Sequence, residues 1–144
     1  MKIVGLTGGI GSGKTTVAKF FAEFKNVAIY IADVEAKKLM NSSEIIKTKL
    51  VKEFGKESFI DGKLNRKFIA EIVFEDKEKL AVLNGIVHPE VRKHFQKFIE
   101  NNQDKAYIIY ENAILFESKS NIFCDIIITV YADLNTKINR VIAR

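Results

Sequence analysis

A glycine-rich segment near the amino end constrains the fold more than any other feature of this chain. The segment GGIGSGKTT, residues 8–16, follows the apolar run KIVGLT and precedes VAKFFAEF, whose apolar residues recur at helical spacing. Glycines weaken both helices and strands, yet here they stand between a predicted buried strand and a predicted helix. The pattern therefore predicts a connecting loop that needs left-handed backbone or close approach to another group.

The loop has the spacing G-x-x-x-x-G-K-[ST] of a phosphate-binding loop, in the strand-to-helix context that this motif requires. Glycines let successive N–H groups converge on phosphate oxygens, and the positive end of the helix dipole adds to the attraction. Lys14 is predicted to reach the β- and γ-phosphates, Thr15 to ligate magnesium and Thr16 to donate to the α-phosphate. A glycine-rich turn with a surface lysine is the alternative, and it requires motif and flanks to coincide by chance. The predicted ATP-binding residues of the loop are Gly8, Gly9, Ile10, Gly11, Ser12, Gly13, Lys14, Thr15 and Thr16.

The remaining pattern predicts an α/β protein. Short apolar runs at 27–31, 106–110 and 125–131 are typical of buried strands in a parallel sheet. Residues 34–103 instead keep helical spacing, with Pro89 predicted to begin a separate helix. The predicted helix N-caps are Ser42 or Ser43, Asn65 and Asp133.

We therefore predict a P-loop NTPase fold with three layers around a central parallel sheet. Its nucleotide-binding core comprises residues 1–33 and 104–144, and residues 34–103 form a helical insertion.

Composition narrows the possible partners. The 144 residues are 47% hydrophobic and 28% charged with a net charge of +5, and the lysines are scattered rather than clustered. That distribution favours a solvated basic surface over a nucleic-acid interface. No run approaches the ~18 apolar residues of a membrane span. The single cysteine, Cys124, is predicted to be a small buried hydrophobe, so we expect a cytoplasmic protein with no nucleic-acid or membrane partner.

Two carboxylates follow predicted strands. Asp33 ends YIAD, and the carboxyl ends of parallel strands face the ligand crevice, where a carboxylate can accept a hydroxyl proton. Its alternative role is an N-cap for a helix starting at Val34. Glu111 ends YIIYE, where it is predicted to hold magnesium through water, and a plain surface charge is the alternative.

With these residues in place, the chain resembles the dephospho-CoA kinase family along its whole length. The matching segments are IVGLTGGIGSGKTTVAKFFAE, IADVEAKKL, DGKLNRKFIAEIVFED, HPEVR, ILFE and NRVIAR. The resemblance implies transfer of the γ-phosphate of MgATP to the ribose 3′-hydroxyl of dephospho-CoA, with Asp33 as general base and Lys14 as catalytic cation. It also implies Arg140 and Arg144 at the ATP phosphates, and it implies that the insertion at residues 34–103 binds the acceptor. The acceptor-side residues that it implies are Asp33, Leu39, Phe68, His88, Arg92 and Glu111.

The chain departs from the family pattern at three places. Ile31 replaces the usual first aspartate of Asp-Ala-Asp, and Glu111-Asn112-Ala113 replaces an aspartate followed by valine and proline. The family continues past Arg144 into a lid, a further strand and an adenine loop, so a truncated member with the strand at 125–131 on the sheet edge is expected. The alternatives are a nucleotide- or CoA-binding protein with little catalysis and another small-molecule P-loop kinase.

Overall fold

The computed structural model describes residues 1–143 and divides the chain into two compact units, Met1–Asp33 with Gln96–Arg144 and Val34–Phe95. Strands and helices alternate at both ends of the chain, and helices dominate between them. No helix within the described residues is long and apolar enough to cross a membrane. The elements are β1 Lys2–Thr7, α1 Lys14–Phe21, β2 Val27–Ile31, α2 Ala32–Ser42, α3 Glu44–Phe54, β3 Phe59–Ile60, β4 Lys63–Leu64, α4 Arg66–Val73, α5 Lys77–Asn101, β5 Tyr107–Glu111, β6 Ile126–Thr129 and α6 Leu134–Ile142.

The first unit contains a four-stranded sheet in the order β2-β5-β1-β6, in which every neighbouring pair is parallel. Strand β1 lies inside the sheet, and its Val4 and Leu6 are buried with Ala18 of α1 and Ile109 of β5. Apolar residues on successive positions suit such a strand because both of its faces are covered. The predicted α/β class with a central parallel sheet is confirmed. The order places β1, which leads into the glycine loop, beside β5, which ends at Glu111.

The second unit is built around α3 and its neighbours. Ser43 caps α3 by accepting a hydrogen bond from the Ile46 N–H at 3.3 Å, and Gly55 follows its last turn at φ 96°. Ile46 and Leu50 are fully buried, whereas Ile45 is 48% exposed. Ile45 precedes the buried residue on the helix, so its side chain leaves at about 100° from that of Ile46.

Pro89 does not begin a helix, which corrects the prediction. It lies inside α5, a single helix from Lys77 to Asn101. A proline in a helix interior removes the hydrogen bond to the carbonyl four residues earlier and crowds that carbonyl. The residue four positions earlier is Gly85, whose missing side chain leaves open space around it. Consequently His88 is an interior helical residue and caps no helix.

Sequence periodicity did not predict the short hairpin of β3 and β4. These strands pair antiparallel through Phe59 with Leu64 and Ile60 with Lys63. Asp61 and Gly62 connect them with φ values of 51° and 78°, the left-handed pair that a tight hairpin turn requires. The Asp-Gly dipeptide was the available sequence signal, but strands of two residues are too short for an alternation pattern.

Candidate functional site

The glycine loop joins β1 to α1 and turns through two left-handed positions. Gly11 has φ 75°, and Gly13 has φ 97° at the N-cap position of α1. The Ser12 N–H donates to the Gly9 carbonyl at 3.1 Å, and the Val17 N–H donates to the Gly13 carbonyl at the start of the helix. A loop that ends on a helix N-terminus collects unpaired N–H groups and the positive end of the helix dipole. The backbone therefore has the form of an anion-binding site.

Contacts with other elements explain two of the glycines independently of any ligand. A β-carbon on Gly8 would lie 2.5 Å from the Val130 carbonyl oxygen, which follows β6. A β-carbon on Gly11 would lie 2.8 Å from the Lys137 carbonyl oxygen of α6. Both neighbours are backbone atoms, which cannot rotate away as a side chain does. These glycines are thus required by packing as well as by backbone conformation.

Ser12 carries a buried hydroxyl in the middle of the loop. The residue is 5% exposed, and its Oγ has no hydrogen-bond partner within residues 1–143. Such an unpaired polar atom is costly and rare in folded proteins. In contrast, Ile10 is 70% exposed, and Thr15 and Thr16 are exposed on the first turn of α1. The two threonine hydroxyls are accessible to the phosphates and metal that the motif predicts.

Strand register brings the predicted charged residues together. Glu111 pairs with Leu6 on β1 and with Ile31 on β2, so its side chain stands at the carboxyl edge of the sheet. Its Oε1 lies 3.9 Å from Lys14 Nζ. Asp33 follows β2 by two residues and acts electrostatically on the same carboxylate. The site therefore combines the loop lysine with two acidic groups.

The surroundings of Glu111 are unfavourable for its negative charge. Burial is the largest cause that raises its pKa, Asp33 raises it further, and Lys14 opposes both by favouring the ionised form. Glu111 is 5% exposed, so the alternative of a plain surface charge is excluded. A second positive charge bound at this edge of the sheet would stabilise the ionised form of Glu111.

Asp33 occupies the first turn of α2, which begins at Ala32. The alternative that Asp33 caps a helix starting at Val34 is therefore wrong. A carboxylate in the first helical turn lies near the positive end of the helix dipole. The side chain is exposed and so remains accessible as a proton acceptor.

The oxygen-rich side chains at this edge fit magnesium. Thr15 offers a hydroxyl and Glu111 a carboxylate, and oxygen ligands are those that Mg²⁺ prefers. No cluster of three or more metal-ligating side chains occurs in the part of the chain that the structure describes. Mg²⁺ commonly takes only one or two protein ligands and completes its shell with water and phosphate oxygens. The donor set therefore suits a metal that arrives with a nucleotide.

Helix α6 supplies a basic residue to the loop. Arg140 Nη1 donates a hydrogen bond to the Gly11 carbonyl oxygen at 2.9 Å. The contact places one edge of the guanidinium against the loop and leaves other N–H groups for a further acceptor. Arg144, the second predicted basic residue, lies outside the described residues.

Four of the six predicted acceptor-side residues lie in the unit Val34–Phe95, and the other two, Asp33 and Glu111, lie in the first unit. Leu39 is on α2 and Phe68 is on α4, whose N-cap Asn65 accepts a hydrogen bond from the Phe68 N–H at 3.3 Å. His88 and Arg92 are one turn apart on α5. Burial, together with the Arg92 charge, lowers the pKa of His88, so its imidazole is neutral at pH 7. The roles of these four residues in acceptor binding stay predictions.

Sequence reasoning missed a buried polar cluster behind Glu111. The Asn112 amide nitrogen donates to the Ser118 hydroxyl and to the Tyr110 hydroxyl, each at 3.4 Å, and its Oδ1 accepts from the Ile114 N–H at 3.0 Å. The Asn112 N–H also donates to the Leu6 carbonyl at 3.0 Å. The polar residue after Glu111 was the signal that could have revealed this cluster, because an asparagine at a strand end can order the following turn.

Known proteins match this chain over nearly all of its length. A family model described as dephospho-CoA kinase matches residues 2–144. The dephospho-CoA kinase of Fusobacterium nucleatum is 43% identical over 143 residues, which cover 99% of this chain and 72% of that protein. The crystal structure of a Thermus thermophilus protein has a TM-score of 0.82 at 30% identity, with 99% of this chain and 72% of that chain covered.

A more distant structure agrees on the fold. The shikimate kinase of Acinetobacter baumannii has a TM-score of 0.52 at 15% identity, covering 98% of this chain and 62% of that one. At that identity the likeness supports the P-loop kinase fold alone. The full-length family match and the close relatives go further, and together with the loop geometry they show that the chain belongs to the dephospho-CoA kinase family.

Proposed function

We infer that this chain transfers the γ-phosphate of ATP to the ribose 3′-hydroxyl of dephospho-CoA, giving coenzyme A and ADP, as the name of its family indicates. One observation supports this reading above the others. Lys14, Glu111 and Asp33 meet at the carboxyl edge of the sheet, beside a loop whose backbone has the form of an anion site. A cation that binds the phosphates, a carboxylate that can bind metal and a proton acceptor are the protein groups that phosphoryl transfer needs.

The loop residues Gly8 to Thr16 are proposed to bind the phosphates of ATP. Lys14 contacts the β- and γ-phosphates, and Arg140 adds a second cation from α6. Binding draws Lys14 away from its 3.9 Å contact with Glu111, because triphosphate oxygens are stronger partners for an ammonium group. Thr15 and Glu111 would hold Mg²⁺, which would neutralise charge on the phosphates.

Asp33 is proposed to prepare the acceptor. The ribose 3′-oxygen attacks the γ-phosphorus, the bond between that phosphorus and the ADP oxygen breaks, and the hydroxyl proton passes to the Asp33 carboxylate. Its exposure at the start of α2 keeps the Asp33 carboxylate accessible for this step. Positioning and charge neutralisation supply most of the catalysis in such reactions.

The unit Val34–Phe95 is proposed to bind the acceptor, through Leu39, Phe68, His88 and Arg92. Arg92 carries the charge that attracts an acceptor phosphate, and neutral His88 offers a hydrogen bond without adding charge. Glu111 is also proposed to take part in acceptor binding. Because ATP and dephospho-CoA are water-soluble metabolites, we propose that the protein works in the cytoplasm.

The Asp33→Asn variant tests the mechanism. The amide keeps the shape of the side chain but cannot take a proton, so turnover should fall by ~10²–10⁴ while ATP still binds. Transfer of labelled phosphate from ATP to dephospho-CoA measures turnover, and calorimetry measures binding. Asp104→Asn is the matched control, since Asp104 is an exposed carboxylate in the turn after α5.

The outcomes separate three readings. Unchanged turnover in Asp33→Asn would reject Asp33 as the base. Transfer to shikimate or a nucleoside rather than to dephospho-CoA would indicate another small-molecule kinase. ATP binding by the wild-type chain with no transferred phosphate, even in a single turnover, would indicate a nucleotide-binding protein without catalysis.

A further inference from the structure

One face of α6 lies against the glycine loop. The Lys137 carbonyl and Cα occupy the space that a side chain on Gly11 would fill, at 2.8 and 3.2 Å from a β-carbon there. One turn later, Arg140 donates to the Gly11 carbonyl. Asp133 begins the helix by accepting from the Thr136 N–H at 2.9 Å and from the Thr136 hydroxyl at 2.7 Å. The start of α6 is thus well ordered, and its next turn is seated on the loop.

The side chain of Lys137 extends along the outer side of the loop. Its Nζ lies 5.9 Å from the centroid of the Tyr131 ring. A β-carbon placed on Gly9 would lie 3.9 Å from the same nitrogen. Gly9 is the second residue of the phosphate-binding motif and is exposed. The ammonium group therefore stands at the rim of the anion site.

Within the described residues, Lys137 makes a cation–π contact with Tyr131 rather than an ion pair with a carboxylate. Within residues 1–143 no carboxylate lies within the 4.0 Å of an ion pair with its Nζ, whereas Lys14 is already opposed by Glu111. Lys137 is a partly buried residue whose Nζ lies near Gly9, and Arg140 contacts Gly11 of the same loop. Together with the N–H groups of the loop, these two side chains give an excess of positive charge around it. Such an excess is stabilised by a polyanion bound among these groups.

We propose that Lys137 is a second lysine that contacts the triphosphate of ATP, reaching it from α6 over the Gly9 side of the loop. The inference rests on the proposed phosphate-binding function of the loop, and it adds a residue that neither the loop motif nor the resemblance to the family identifies. Lys137 and Arg140 are three residues apart, so they project from the same face of α6. Together with Lys14 they surround the loop with cations from two helices.

A purely structural role is the competing explanation. Tyr131 is 82% exposed, so its ring offers Lys137 only a solvated cation–π contact. Losing that contact would lower stability slightly and would not change nucleotide affinity. The two explanations therefore differ in what a charge-neutral variant does to ATP binding.

The test compares Lys137→Gln and Lys137→Arg with the wild-type chain. Glutamine keeps most of the length without the charge, so the KM for ATP and the dissociation constant of MgATP should both rise about 10- to 100-fold, the size of one lost charge-assisted hydrogen bond. Arginine keeps the charge and should restore affinity close to that of wild type. The matched control is Lys19→Gln, which removes an exposed lysine from α1 and should leave the affinity unchanged.

A second measurement needs no variant. Amine acetylation of the wild-type chain, followed by peptide mass spectrometry, should show that MgATP slows modification of Lys137 but not of Lys19. Equal ATP affinity in Lys137→Gln, or acetylation of Lys137 that MgATP does not slow, would overturn the proposal. If the wild-type chain binds no ATP at all, the proposed function of the loop fails as well, and that result is visible before any variant is compared.

Discussion

Two opposing effects act on the ionisation of the Glu111 carboxylate. Its carboxylate is buried at a strand end, where desolvation disfavours the charge, yet Lys14 is 3.9 Å away and favours it. Burial dominates, so the pKa of Glu111 is raised. A charge held at a cost in stability is typical of functional sites, where it prepares the protein for a ligand of opposite sign.

We predict that Glu111→Gln stabilises the unliganded chain above acidic pH while impairing catalysis. The pKa of Glu111 is raised in the folded state. Below about pH 4.5 the side chain is neutral in both the folded and the unfolded chain, so it does not lower the free energy of unfolding there. The cost grows as pH rises through 4.5 toward the folded pKa, because only the unfolded chain then ionises freely, and it is constant above that range. Urea unfolding of both proteins from pH 4 to pH 8 measures the difference.

At pH 4 the variant and the wild type should have the same free energy of unfolding. As the pH rises toward 8, the variant should become the more stable of the two. The magnesium concentration needed for half-maximal turnover should rise, because the variant lacks the carboxylate that is proposed to bind the metal. A variant less stable than wild type at pH 7 would contradict the prediction and show that the Lys14 contact outweighs burial.

At the scale of elements, the glycine loop serves as the surface on which α6 and the end of β6 pack. Backbone atoms of Lys137 and Val130 lie where side chains on Gly11 and Gly8 would stand. The loop is therefore positioned by two later elements as well as by β1 and α1. The residues that are proposed to bind phosphate therefore also determine where α6 packs.

Gly11→Ala should lower the free energy of unfolding by ~1–3 kcal/mol even without nucleotide. Alanine is strained at φ 75°, and its methyl group meets the Lys137 carbonyl at 2.8 Å. Chemical denaturation without nucleotide measures the loss. Unchanged stability of this variant would contradict the prediction.

The matched control is Gly85→Ala in α5. No atom lies within 4 Å of the position that its methyl group would take, and the residue is inside a helix. The same substitution should there stabilise the protein by roughly 0.5–1 kcal/mol, since alanine favours the helical backbone. A loss of stability in Gly11→Ala together with a gain in Gly85→Ala would show that the local surroundings of Gly11, rather than the intrinsic preference of alanine, cause the loss.

At the scale of the whole molecule, β6 is an apolar edge. Within the described residues it pairs only with β1, and Ile126 and Ile127 are 48% and 37% exposed. Helix α6, next along the chain, buries none of its residues. The prediction that the strand at 125–131 lies on the sheet edge is confirmed for β6, Ile126–Thr129. Edges of this kind pair readily with other chains.

We expect Ile126→Lys to reduce self-association of the chain without unfolding it. A charge on an edge strand opposes pairing with another strand, and a half-exposed site should cost under about 1 kcal/mol of stability. Light scattering against concentration measures association, and thermal unfolding checks the fold. Ile60→Lys is the control, because Ile60 is 58% exposed on the short hairpin and gains the same charge. Equal effects of both lysines would trace the change to net charge rather than to the edge.

Local sequence was sufficient for much of this architecture. Strand β1, the glycine loop and the start of α1 follow from a motif of adjacent residues, and the helix caps Ser43, Asn65 and Asp133 each bond within three positions. Such features depend on backbone geometry and near neighbours alone, which the sequence displays directly.

Other features exist only because distant segments meet. The pairing of β5 with β1 places Glu111 beside Lys14, 97 positions earlier, and buries it, which no neighbouring residue reveals. The packing of α6 on the loop, which makes Gly11 irreplaceable and brings Lys137 to the rim, likewise joins residues more than a hundred positions apart. Strand register and helix packing are chosen by the burial of the whole core, so they are properties of the folded chain rather than of any segment within it.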